Sequence, residues 1–327
     1  MPHASSSRFA GWLGVIRRIR KAYQHYLGRR LHLLRPRRYT EKMQWRKLFD
    51  LDPRYAILSD KLAVRDVIAG CLGREYLVPL LWQGDDPDQI PFDDLTPPYV
   101  LKSTHACAHV IIVGEGQPVD RDAIRATARG WLGHCHGTLL DEPGYIHVPR
   151  RLIVERQIVP TADAPLFERK LFMFDGTVGV INTIWVDGNR TRRGAFHTAD
   201  WERLPWAIER APLEMPLPRP KPLDAMVDAA SRLAAGYDHL RVDFYDDGER
   251  FWLGELTVYS YSGLAPVAPD AADYSLGAFW KLHKPASCAL MTMLTRRWEI
   301  RAPAGVNACS SAGGHRVGHG PDVVASP

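Results

Sequence analysis

Alternating runs and helical stripes follow one another along this chain without a regular strand–helix rhythm. Residues 99–102 and 110–113 read as a hairpin-like pair of strands and 151–159 as a further strand. Residues 168–174 and 178–184 form a hairpin turning at Asp175 and Gly176. Residues 241–245 and 251–257 form another around Asp246, Asp247 and Gly248. A short strand is expected over 76–81, before a loop-rich stretch. Helical periodicity covers 40–50, with Thr40 as N-cap, and 59–70, with Ser59 as N-cap. Asp120 caps a helix whose apolar face is Ile124, Thr127, Ala128, Trp131 and Leu132. Pro222 opens another, striped by Leu223, Met226, Val227, Ala230 and Leu233 and ended by Gly236. Residues 274–294 read as helical with Pro285 interrupting, 188–221 as irregular and 302–327 as disordered. Frequent hairpins predict an α+β fold with antiparallel sheets.

Composition changes this picture little. The 327 residues are 46% hydrophobic and 24% charged, enough for two or three domains with a substantial core. No run is long and apolar enough to span a bilayer. The apolar run after Arg8 stops at Arg17 without a small-residue cleavage site, so no signal peptide is expected. The five scattered cysteines fit reduced thiols and a cytoplasmic location.

Charge changes it more. Residues 8–38 hold ten Lys or Arg and no acid, so the net +5 belongs to this arm and the rest of the chain is mildly acidic. That argues against a broadly basic nucleic-acid-binding surface. Trp12, Leu13, Val15, Ile16, Ile19, Tyr23, Tyr26 and Leu27 recur in the arm at roughly helical spacing. Two readings stay open: a basic amphipathic helix on an anionic membrane surface, or a helix packed on the body with a solvated basic face.

The candidate chemistry centres on the second hairpin. An odd-numbered loop would set Asp243 and Glu255 on one face of neighbouring strands, where two carboxylates repel unless a cation lies between them. Mg²⁺ is held by one or two carboxylates plus substrate phosphates. A surface hairpin carrying Asp and Glu is the plainer alternative. His105, Cys107 and His109, with His134, Cys135 and His136, match no standard structural zinc spacing. Cys107 has no evident orienting partner as a nucleophile. Arg190, Arg192 and Arg193 read either as an acceptor-binding group or as a solvated charge run.

Eight stretches carry a resemblance when taken in order: TEKMQWRKLFDLDP, LSDKLAVRDVI, EYLVPLL, YVLKSTH with HVIIV, LIVERQIV, ERKLFMFDG, RVDFY and GELT. From about residue 40 to 280 the chain resembles the TupA-like branch of the ATP-grasp superfamily, linked to polysaccharide and teichuronopeptide synthesis. The resemblance implies two lobes whose antiparallel sheets sandwich ATP. Lys61 and Lys102 match positions on the ATP phosphates, with Ser103 and His105 in the phosphate loop. Glu155 matches the region that meets adenine and ribose. Lys170 and Arg241 match basic positions facing the phosphates or an acyl phosphate. Asp243 and Glu255 match Mg²⁺ ligands, with Thr257 as the third. The family favours His-Gly-Ser-Gly in the phosphate loop, where this chain has His105, Ala106, Cys107 and Ala108.

The implied organisation is a basic arm (1–38), an N-terminal helical region (39–98), a small lobe (99–160), a C-terminal lobe with the metal hairpin (161–300) and a tail (301–327). The implied function is an ATP- and Mg²⁺-dependent carboxylate–amine ligase of bacterial surface-polysaccharide synthesis, forming an amide through an acyl phosphate. Its partners would be a carboxylate and an amine, one of them on a lipid-linked saccharide, with no nucleic acid. It would be cytoplasmic, with peripheral contact at the inner membrane face through residues 8–38. The alternatives are a glycosyltransferase using a nucleotide sugar and a non-catalytic nucleotide-binding protein of the same fold.

Overall fold

A computed structural model describes residues 3–159, 166–186 and 192–283. Its elements begin with α1 (His3–Leu27), α2 (Tyr39–Phe49), α3 (Arg54–Ser59), α4 (Val64–Cys71), β1 (Leu80–Gly84), β2 (Tyr99–Ser103) and β3 (Val110–Val113). Next come α5 (Arg121–Gly133), α6 (Pro143–Ile146), β4 (Leu152–Arg156), β5 (Phe167–Phe174), β6 (Thr177–Val186), β7 (Arg192–His197), β8 (Arg203–Leu204) and β9 (Ala207–Ile208). The last are α7 (Leu223–Ala234), β10 (His239–Asp246), β11 (Phe251–Thr257), β12 (Val267–Ala268) and α8 (Asp270–Phe279).

Antiparallel pairing builds a small sheet in the order β1-β4-β2-β3 and a large sheet in the order β11-β10-β5-β6-β7-β8. The α+β class expected from the hairpins is what the chain adopts. Alternation along β10 decides which face does what. Leu240, Val242 and Phe244 join Leu223, Met226, Ala230 and Leu233 of α7 in one core. Arg241, Asp243 and Tyr245 point the other way. A second core lies in the small lobe, where Tyr99, Leu101, Leu152 and Val154 meet Ile124 and Ala128 of α5.

The segment before the small lobe divides between the lobes. Met43, Tyr55, Leu58, Val64 and Ile68 of α2, α3 and α4 pack into the large-sheet core. β1 pairs with β4 in the small sheet. Leu77 makes a parallel bridge to Leu253 of β11, joining the two.

α2 is buried almost all round, although half its residues are polar or charged. Burial of a charge is tolerated only when it is paired and hydrogen-bonded. Arg46 meets that condition: it donates to the backbone oxygens of His239 at 2.9 Å and Val258 at 3.1 Å and pairs with Asp238. Asp238 also accepts from the Trp280 indole at 3.0 Å. Gln44 donates to the carbonyls of Ser262 and Gly263. α2 therefore acts as a polar peg between the large sheet and the loop after β11.

Several expectations are corrected. Thr40 is not the N-cap of α2. The helix starts one residue earlier, and Thr40 bonds Asp273 of α8 through both its amide and its hydroxyl. Glu41 instead reaches back to the amides of Arg37 and Arg38. Ser59 does not open a helix over 59–70 but ends α3. The Lys61 amide bonds Thr104 O at 3.0 Å and Asp60 pairs with Arg151, so contacts to the small lobe split the helical run. The strand expected over 76–81 begins at Leu80, after a 3₁₀ turn. The stretch 188–221 contains β7, masked by the two arginines that open it, and β8 and β9, hidden by their short lengths. α8 stops at Phe279, where Trp280 turns into the core. Residues 284–294 and the tail 302–327 lie outside the described residues.

The apolar stripe of the arm is used internally. Val15, Ile19, Tyr23, Leu31 and Leu33 pack against Trp45, Leu48 and Phe49 of α2. This is the packed-helix alternative, with the basic face outward.

Removing Arg46 tests the peg. Arg46→Met leaves Asp238 buried without its cation, and breaking such a pair costs about 3–5 kcal/mol. Urea unfolding should show that loss, with part of it restored when Asp238→Asn is added. A loss below about 1 kcal/mol would show that α2 does not depend on this charge.

Candidate functional site between the two sheets

The cleft between the two sheets holds a cavity of about 160 Å³. Lys61, Lys102, Cys107, Ala108 and Val110 line its small-lobe side. Glu168, Lys170, Asp243, Tyr245, Gly254 and Glu255 line the other. Lys102 stands near the end of β2, and Lys61 in the link between α3 and α4. Lys61 donates to Ala106 O at 2.5 Å, which ties it to the loop joining β2 and β3.

Asp243 and Glu255 are direct cross-strand partners on β10 and β11. The sequence argument reached this pairing for a wrong reason. Asp246 faces Phe251, so the loop between them has four residues and would set Asp243 opposite Gly254. A bulge between Asp243 and Phe244 shifts the register by one and brings Glu255 across. Gly254 is the extra residue. A Cβ there would lie 3.0 Å from the Tyr245 ring and 3.4 Å from Asp243 O, so the crowded bulge favours glycine.

Arg241 and Thr257 form the next pair on the same face, and on its other side Asp243 faces Lys170 of β5. Arg241 donates to both Asp243 oxygens, at 2.6 and 2.7 Å, and to the Thr257 hydroxyl at 2.9 Å. Lys170 donates to Asp243 Oδ2 at 2.7 Å and lies 3.1 Å from Glu168. Glu168 also pairs with Arg192 of β7. Burial alone would raise the Asp243 pKa, but Arg241 and Lys170 outweigh it and hold the carboxyl below its ordinary value. Burial would likewise raise the Glu168 pKa, but Lys170 and Arg192 outweigh it and bring it to about 2. Burial works against the charge on Lys170, yet Asp243 and Glu168 raise its pKa. Glu255 is different: it has no hydrogen-bond or ion-pair partner among the described residues.

Across the cleft, Lys102 donates to Glu155 Oε2 at 2.8 Å, and Arg65 of α4 donates to Glu155 Oε1 at 2.6 Å. Burial lowers the Lys102 pKa and Glu155 more than reverses it, so the ammonium keeps its proton. Among the described residues around the cleft, six cations (Lys61, Arg65, Lys102, Lys170, Arg192, Arg241) meet four carboxylates (Glu155, Glu168, Asp243, Glu255). The excess is positive, which suits a polyanion.

The structure thus gathers Lys61, Lys102, Lys170, Arg241, Asp243, Glu255, Glu155 and Thr257 around one cleft. It does not bring the side chains of Ser103 and His105 to it. Both are buried behind the loop, where Ser103 Oγ lies 2.9 Å from His109 Nδ1 and His105 Nε2 lies 3.1 Å from Trp131 O. The Cys107 thiol lies 3.5 Å from the Tyr145 hydroxyl. Although Cys107 opens on the cavity, burial among its neighbours pushes the thiol up to about 11, which leaves it protonated at neutral pH. Arg192 and Arg193 belong to β7, and Arg190 lies outside the described residues. Sequence reasoning missed Glu168, Tyr245 and Arg65. Period-two alternation from Lys170 and Asp243 would have found the first two; Arg65 comes from a different element and carried no such signal.

Among the described residues no three His, Cys, Asp or Glu side chains converge as a metal site. Asp243 and Glu255 still offer hard oxygens on adjoining strands, a donor set that fits Mg²⁺ if phosphate and water complete the shell. The unpaired Glu255 carboxylate facing a bonded Asp243 is the observation that favours a cation there.

Three solved structures are similar to part of this chain. A D-alanine–D-alanine ligase from Bacillus anthracis is 16% identical, with 73% of this chain and 68% of that one covered and a TM-score of 0.39. A RimK domain ATP-grasp protein from Sphaerobacter thermophilus is 14% identical, with 74% and 70% covered and a TM-score of 0.38. The VanG D-Ala:D-Ser ligase from Enterococcus faecalis is 13% identical, with 62% and 52% covered and a TM-score of 0.38. At these identities and TM-scores the likenesses say nothing of substrate. No curated protein matches the chain. The family model described as TupA-like ATPgrasp matches residues 41–281, which include both sheets and every cleft residue named above, and the chain belongs to that family.

Proposed function

We propose that this protein is an ATP- and Mg²⁺-dependent carboxylate–amine ligase of bacterial surface-polysaccharide synthesis. The observation that carries the reading is the opposition, across one cleft, of Lys102 of the small lobe, with Lys61 tied to that lobe's loop, to Lys170, Arg241 and the Asp243/Glu255 pair of the large sheet. ATP, when bound with Mg²⁺, would transfer its γ-phosphoryl group to a substrate carboxylate and leave as ADP; an amine would then attack the acyl phosphate at its carbonyl carbon and expel inorganic phosphate, forming the amide. The chain's own part is positioning and charge neutralisation, which is most of what phosphoryl transfer asks of a protein. Lys61 and Lys102 would hold phosphate oxygens as flexible point charges. Glu155 keeps Lys102 protonated and aimed across the cleft. Lys170 and Arg241 would neutralise charge on the transferred group, while Asp243 and Glu255 would hold the metal. Lys170 would have to leave Asp243 as that happens. A lipid-linked saccharide at the inner membrane face would suit the basic arm.

One observation favours a second reading, nucleotide binding without turnover. Ala108 closes the phosphate loop with φ at 61°, in the left-handed region that glycine enters more cheaply. A loop held in this conformation at a cost could bind phosphate yet close poorly.

Calorimetry with ATP and Mg²⁺ separates the cases. Lys102→Ala should weaken ATP binding by roughly 10- to 100-fold, the worth of a hydrogen bond to a charged group. If wild type and variant bind alike, Lys102 does not touch phosphate. Turnover is read next, as phosphate release. Glu255→Gln should lose Mg²⁺-dependent turnover by about 100-fold with an unchanged melting temperature, because Glu255 has no partner to lose. Asp243→Asn should lose turnover too, but at a stability cost of about 3 kcal/mol, since Arg241 and Lys170 lose their shared counter-ion. Full activity in either variant would refute the metal assignment. Ala108→Gly should relieve about 1 kcal/mol of strain and raise Tm by roughly 2 °C; a lower Tm would mean that the loop is not strained there.

A further inference from the structure

With its apolar stripe packed on α2, the arm turns a second surface outward. Leu13, Arg17, Arg20 and Gln24 recur at helical spacing opposite the buried Val15, Ile19 and Tyr23, and all four are exposed. Lys21 lies beside them, and Arg30, Arg35 and Arg37 follow in the exposed chain leading to α2. The acids that reach the arm are used by others: Asp141 by Arg18, and Asp270 by Arg29 and Arg38. Arg17, Arg20, Lys21, Arg30, Arg35 and Arg37 have no ion-pair partner among the described residues. Between Arg30 and Arg35 stands Leu34, 87% exposed, the most open large hydrophobic residue described.

We propose that this face docks the protein on an anionic lipid bilayer by its basic side chains, with Leu34 entering the interface. The contact would be electrostatic, because the stripe that an amphipathic helix would sink into lipid is already buried in the core. Charge complementarity selects an anionic partner. The leucine among the arginines selects a bilayer, which offers headgroup charge and an apolar layer within one side-chain length, where a soluble polyanion offers only charge. The inference deepens the membrane-face part of the ligase reading. It is tested without nucleotide, so failure of ATP binding leaves it standing and its own failure leaves the ligase chemistry untouched.

The experiment is cosedimentation of the full chain with vesicles of phosphatidylcholine alone and of phosphatidylcholine with phosphatidylglycerol in a two-to-one ratio. Binding is expected to the anionic vesicles only, and to fall as salt rises. Each basic residue near such a surface is worth about fivefold, so the triple reversal Arg17→Glu, Arg20→Glu, Lys21→Glu should cut binding by about 100-fold or more. These side chains have no partner in the fold, and an unchanged melting temperature checks that the variant is native. Leu34→Ser should weaken binding severalfold at unchanged charge. Five outcomes would overturn the proposal: no binding to anionic vesicles at low salt, equal binding to both vesicles, full binding by the triple variant, full binding by Leu34→Ser with displacement by soluble polyglutamate, or concentration-dependent self-association without vesicles that the triple variant loses. The fourth would assign the face to an anionic polymer, and the fifth to the acidic body of a second copy.

Discussion

Asp243 is one carboxylate held by two cations, and much of the site follows from that arrangement. Arg241 approaches along its own strand and Lys170 from the neighbouring strand, so the charge is shared across β10 and β5. Buried charges survive only with such pairing. The pairing also aligns the face: Thr257 is drawn to Arg241, and Glu168 to Lys170. What remains open in the row is Glu255, brought opposite Asp243 by the bulge at Gly254. The cleft is therefore poised rather than neutral. Its cations other than Lys61 are paired with carboxylates, and one further carboxylate has no partner of its own among the described residues.

The same logic, used for structure rather than chemistry, appears in α2. Arg46, Gln44 and Thr40 satisfy backbone and carboxylate groups of the large sheet, the loop after β11 and α8. That loop runs on from Glu255 and Thr257, and Tyr261, Ser262 and Gly263 all take positive φ within it. Tyr261 accepts a hydrogen bond from Asn182 at 3.2 Å, and its ring lies against Arg241. A polar helix buried on the far side thus bears on the shape of the site. It also gives the basic arm a seat, since Trp45, Leu48 and Phe49 meet the arm's apolar stripe.

Hairpins were legible because their signal is local. Asp175 and Gly176 both take positive φ at the turn between β5 and β6, and period-two alternation marks the strands beside it. The helix caps at Asp120 and the stop at Gly236 were equally local. Thr40 and Ser59 misled for the opposite reason: both look like caps, but distant partners claimed Thr40, and contacts to the small lobe split the run after Ser59. β7 was hidden because its pairing with β6, not its composition, makes it a strand.

The sequence by itself determined the antiparallel α+β class, the acid-free arm, the order of motifs and the identities of most of the charged residues that converge, Glu168 and Arg65 excepted. Those depend on residue type and on spacing within one element. Tertiary structure alone decided that the arm's apolar stripe faces α2 and not solvent, that Ser103 and His105 turn behind their loop, and that Arg65 reaches Glu155. It also decided the register that sets Glu255 against Asp243, through one bulged glycine that no periodicity announces. The physical reason is common to all four: each is left open by residue type and spacing within one element and is settled by a contact outside that element.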